Sequence, residues 1–131
     1  MNEYKSGDAS HLIVLDFDGT IFMGDTGTLL NKGVMAPGFY ERAQLWFKRD
    51  RELGIFSMRL NTDYAGHVEA MRRWFQHQVP DDLHFFDEFR LFSRLPIHFS
   101  KFISNRANFF DKDIPGAWDN FKVQAAMRDI W

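Results

Sequence analysis

The chain reads as an α/β domain, a three-layer α/β/α sandwich around a central parallel sheet. Three observations predict it. Short apolar runs alternate with longer segments of helical periodicity. The first run, Leu12-Ile13-Val14-Leu15, is apolar throughout, as in a strand buried on both faces. That run delivers Asp16 and Asp18, then Gly19-Thr20, to its carboxyl end, where open α/β sheets bind their ligands.

The elements follow in order. Residues 1–10 are polar and read as an amino-terminal tail; residues 11–131 form one domain. The stretch from Gly19 to Ala36 is rich in Gly, Thr, Asn and Lys and predicts a long loop or small hairpin. Pro37 is placed to open a helix, where its missing N–H costs nothing. Phe39, Ala43, Trp46 and Phe47 share one face of that helix, and Gly54 is its expected stop. Ile55-Phe56 predict a short strand running into Ser57. Thr62-Asp63 cap the next helix, whose apolar stripe is Tyr64, Val68, Met71 and Phe75; Pro80-Asp81-Asp82 ends it. Strands are expected at 89–92 and 99–103, and a last helix at 118–130, with Val123, Met127 and Ile130 aligned.

Composition narrows the function. There is no cysteine, which excludes disulfides, zinc–thiolate sites and thiol catalysis. The net charge of -2 does not favour nucleic acid or an anionic membrane surface. No apolar run approaches the roughly 20 residues of a membrane span. No signal-peptide core stands in the first residues, so a cytoplasmic location is expected. Fifteen Phe and four Trp point to an aromatic core. Phe85-Phe86, Phe89 and Phe92 belong there rather than to a base-stacking surface, because a single basic residue, Arg90, stands among them beside Asp87 and Glu88, short of the basic interleaving such a surface needs. The five histidines lack metal-ligand spacing and read as structural or exposed. Asp25-Thr26-Gly27 matches the three-residue signature of aspartic proteases, but Met23-Gly24 before it does not read as a strand.

Acids at the end of a buried strand need a reason, because unpaired buried charge is costly. Three strand ends converge in this topology: Asp16/Asp18, Ser57, and Ser104-Asn105-Arg106. Carboxylates, a hydroxyl, an amide and guanidinium groups suit a magnesium ion with a phosphoryl group. A carboxylate can also attack phosphorus to give an aspartyl-phosphate.

Leu15-Asp16-Phe17-Asp18-Gly19-Thr20-Ile21 resembles the first motif of the haloacid dehalogenase superfamily of phosphohydrolases. Gly54-Ile55-Phe56-Ser57-Met58-Arg59 resembles its second motif, and Phe102-Ile103-Ser104-Asn105-Arg106-Ala107 stands where the fourth is carried. The resemblance spans the chain and leaves no room for a large cap domain, so it implies a capless, Rossmannoid member. It implies Asp16 as nucleophile and metal ligand, and Asp18 as general acid/base with its backbone carbonyl on the metal. Thr20 would support the turn at the substrate, and Ser57 would bond the phosphoryl oxygens. Arg59 and Lys101 are further candidates for substrate phosphate, and Asn105 for the metal.

Two positions depart from the family pattern. Ser104-Asn105 replaces paired acids, which removes negative charge and implies weaker magnesium binding. The third motif carries a Lys before Pro; here Leu95 precedes Pro96, leaving Arg94 or Lys101 to substitute. The implied activity is magnesium-dependent hydrolysis of a phosphomonoester, on a phosphorylated small molecule or an extended phosphorylated substrate. The alternative is a catalytically impaired relative that serves as a binding or interaction module.

Overall fold

A computed structural model of the protein describes residues 12–24, 33–96 and 98–104. Strand β1 (Leu12–Asp16) is buried along its whole length. It pairs in parallel with β4 (Glu52–Phe56) on one side and with β6 (Lys101–Ile103) on the other. β4 in turn pairs in parallel with β5 (Arg90–Phe92). The resulting sheet has the order β5-β4-β1-β6. The parallel α/β arrangement read from the sequence is therefore present.

Helices α1 (Phe39–Lys48) and α2 (Tyr64–Gln78) cover one face of this sheet. Ile13, Leu15, Leu53, Ile55 and Ile103 point toward them and meet Ala43, Trp46, Met71, Trp74 and Phe75. The aromatic surplus fills this layer. Phe75, Phe85 and Phe89 pack with ring centroids 5.2 to 5.9 Å apart, and Phe85, Phe86 and Phe89 are buried as expected of core. On the opposite face Leu12, Val14, Phe92 and Phe102 form a second apolar cluster. The helix expected at 118–130 lies outside the described residues. Among those described, no helix is long and apolar enough to cross a membrane.

Two expectations are corrected. Pro37 does not open α1; Pro37-Gly38 form a turn, and Gly38 caps the helix with φ 84°. The helix ends at Lys48 through Asp50, which has φ 59°, and not at Gly54. Gly54 sits in the middle of β4 because a side chain is sterically blocked there: a Cβ would stand 2.5 Å from Cε2 of Phe92. The residue that read as a helix stop is a packing contact between strands.

Other expectations hold. Asp63 caps α2 by accepting a hydrogen bond from the Gly66 N–H. The segment after Gly19 contains a small hairpin, with β2 (Phe22–Met23) antiparallel to β3 (Val34–Met35). A strand thus does precede Asp25, contrary to the sequence reading, while Asp25-Thr26-Gly27 lies outside the described residues. The hairpin is tied to α2. Trp74 Nε1 donates to the Gly33 carbonyl at 3.0 Å, and Gln78 Oε1 accepts from the Met35 N–H at 2.9 Å. Phe22 stacks on Phe17 with centroids 5.5 Å apart, which fixes the hairpin against the end of β1.

Candidate functional site

The strand order locates the site. From β1 the chain winds outward to β4 and β5, then crosses back to lay β6 on the other side of β1. The order reverses between β1 and β6, and ligands in open α/β sheets bind beyond the carboxyl ends at such a reversal. Leu15 pairs with Ile103, so Asp16 and Ser104 are the next residues on the two strands. Side chains alternate along a strand. Val14 and Phe102 share one face, and Asp16 and Ser104 emerge on that same face.

There the two side chains meet. Ser104 Oγ donates to Asp16 Oδ2 at 2.9 Å. Asp16 Oδ1 accepts from the Phe17 N–H at 3.0 Å, and that N–H also bonds the Phe56 carbonyl at 3.1 Å. Asp16 is 5% exposed and Ser104 fully buried. A carboxylate in so little water is held by donors on both oxygens, as a buried charge requires.

Beyond Asp16 the chain folds back around one carbonyl. The N–H groups of Thr20, Ile21 and Phe22 all converge on the Phe17 oxygen at 2.9 to 3.3 Å. Gly19, with φ 81°, supplies the left-handed step that lets them do so. Thr20 is buried in this turn.

Asp18 is engaged by Arg59. Arg59 Nε lies 3.2 and 2.9 Å from the two carboxylate oxygens, and one terminal nitrogen, Nη2, lies 2.8 Å from Oδ1. The side chains are 16% and 13% exposed, so the pair is shielded from solvent. The guanidinium also lies 5.7 Å from the centroid of the Phe22 ring, which holds it over the hairpin. Arg59 is placed by Ser57, whose Oγ accepts the Arg59 N–H and caps a short 3-10 turn, Met58–Asn61. Ser57 itself is buried at the end of β4, where its N–H bonds the Phe92 carbonyl.

Asp16, Asp18, Thr20, Ser57 and Arg59 thus gather at one end of the sheet. The backbone of Lys101 starts lower on the sheet. It opens β6 level with Ile13, three residues below Asp16 and hence about 10 Å away along the strand. Arg94, two residues past β5, follows a carboxyl end and is exposed. Asn105 and Arg106 lie outside the described residues. Two contacts were not foreseen from sequence, Ser104 to Asp16 and Arg59 to Asp18. Each joins residues far apart in the chain; the only sequence signal was that all four stand at or just after strand ends.

The donors at Asp16 and Asp18 are hard oxygens, which fit magnesium; that ion is commonly held through one or two carboxylates with waters. Among the described residues no cluster of three or more His, Asp or Glu side chains forms a metal site. Compared with known protein families, with curated proteins and with solved structures, the chain matches none.

Proposed function

We propose that the protein is a capless phosphatase of the haloacid dehalogenase type. It hydrolyses phosphomonoesters through an aspartyl-phosphate at Asp16. The observation that carries this is the position of Asp16: a buried carboxylate at the β1/β6 reversal, beside a second carboxylate that holds a guanidinium. The sequence motif around these acids supports the same chemistry.

Magnesium would be held by the Asp16 carboxylate and the Asp18 backbone carbonyl, with Asn105 as the further candidate, and would neutralise phosphoryl charge. Ser57 and Arg59 bind the phosphoryl oxygens. Because Arg59 starts on Asp18, substrate binding exchanges a carboxylate partner for a phosphate, and the released Asp18 carboxylate takes up a proton from solvent and so becomes the general acid. An Asp16 oxygen attacks phosphorus in line and the ester P–O bond breaks. The departing oxygen takes a proton from Asp18. Water then attacks the phosphorus of the acyl phosphate, giving a proton to Asp18, and phosphate leaves as the Asp16 carboxylate is restored. Without a cap domain the site admits either a phosphorylated small molecule or an extended phosphorylated substrate.

The test is phosphate release from a phosphomonoester panel at millimolar magnesium, wild type against Asp16→Asn. Release that depends on both magnesium and Asp16 supports a phosphatase; release unaffected by Asp16→Asn refutes it. The ion pair already satisfying Asp18 favours a second possibility, a module that binds phosphorylated ligands without hydrolysing them. Saturable phosphate binding without turnover would establish that instead.

A further inference from the structure

Asp16 needs more than its place on β1 to act as a nucleophile. Rotation of an aspartate carboxylate about Cβ–Cγ is broad and only weakly restrained by the chain. In-line attack demands a defined orientation, and a misplacement of about 1 Å can cost on the order of 100-fold in rate. Something must therefore set the carboxylate plane. The Phe17 N–H reaches Oδ1, but it is divided between that oxygen and the Phe56 carbonyl. Oδ2 receives the hydroxyl of Ser104 at 2.9 Å, from a side chain fully buried on the neighbouring strand.

We propose that Ser104 is a positioning residue for Asp16: its hydroxyl pins Oδ2 and so fixes the plane in which the carboxylate meets phosphorus. This rests on the phosphatase proposed above. It also gives a physical meaning to the serine at this position. A carboxylate here would stand within hydrogen-bonding distance of Oδ2 and repel it unless a cation lay between. A neutral donor holds Asp16 in place whether or not a cation is bound. Register makes the contact possible, because Ser104 follows Ile103, the partner of Leu15.

The experiment compares wild type, Ser104→Thr, Ser104→Val, Ser104→Ala and Asp16→Asn in steady-state phosphate release at saturating magnesium. Circular dichroism and melting identify the folded variants. Thr and Val have nearly the same volume and differ in the hydroxyl. We expect Val and Ala to lose about 10–100-fold in kcat with KM little changed, and Thr to recover most of that loss. Equal rates for Thr and Val would overturn the proposal, as would a loss confined to KM. If both Val and Ala fail to fold, the hydroxyl is structural and the proposal falls. If the wild type shows no Asp16-dependent release, the phosphatase itself falls and the positioning role with it. An active wild type with an indifferent Ser104 removes only the latter.

Discussion

The ion pair between Arg59 and Asp18 can be measured directly, because its strength sets how readily substrate can displace it. The perturbation is a double-mutant cycle of Asp18→Ala and Arg59→Met. Methionine keeps part of the aliphatic stem beside Phe22, and the hydrogen bond from the residue 59 N–H to Ser57 is a backbone contact that survives. Three N–H···O distances of 2.8 to 3.2 Å define the pair. Exposed pairs contribute about 0.2–1 kcal/mol, whereas hydrogen bonds to charged groups contribute about 1.5–3 kcal/mol each when shielded. With side chains 16% and 13% exposed, desolvation offsets much of the gain, and a net coupling of about 1–3 kcal/mol is expected. For a chain of this size each kcal/mol corresponds to about 3–5 °C in melting temperature. The assay is urea unfolding of the four proteins followed by circular dichroism, with the slopes checked for equality. More than half of the coupling should persist at about 1 M salt, where exposed pairs are largely screened. A coupling below about 0.5 kcal/mol, or one abolished by salt, would refute a shielded pair. Arg59 would then be a surface arginine with no exchange to perform.

Further outcomes are expected away from the site. Tyr40 donates its hydroxyl to Asp82 at 2.9 Å, and this bond, with burial, raises its pKa above the ordinary 10.0. A raised folded pKa gives stability that is complete below the unfolded value and is lost as pH rises through the folded one. Stability should therefore decline as pH climbs past 10.0, and Tyr40→Phe should flatten that decline in unfolding measured across the alkaline range; an unchanged slope would remove Tyr40 as its cause. Gly54→Ala would place its Cβ 2.5 and 3.1 Å from atoms of the Phe92 ring. It should cost about 1–3 kcal/mol in chemical unfolding, and Phe92→Leu in the same chain should recover part of that loss. Additive effects of the two changes would mean that the ring does not set the glycine.

How much was legible in the chain can be judged residue by residue. The apolar run of β1, the stripe of α1, the Val68, Met71 and Phe75 part of the α2 stripe and the Asp63 cap follow from local rules, because periodicity and capping act over a few residues. Tyr64, expected in that stripe, is exposed in the first turn of α2, where Trp74 takes a buried place instead. Gly54 and Pro37 misled for a related reason. Both are punctuation signals whose meaning depends on neighbours that are distant in sequence. Gly54 answers to the ring of Phe92 on the next strand, and Pro37 to a turn that sets Gly38 as the helix cap.

The sequence by itself determined an alternating α/β chain, an aromatic core and two acids presented at the end of a buried strand. Tertiary structure decided which side chains those acids meet. Strand order and register are not written in any local pattern. They follow from how the sheet is assembled, and they carried Ser104 across 88 residues to Asp16 and Arg59 across 41 to Asp18. The same register left Lys101, only three residues from Ser104, level with Ile13 at the other end of the strand pair. A few residues along an extended strand cover about 10 Å, while a sheet brings distant residues within hydrogen-bonding distance.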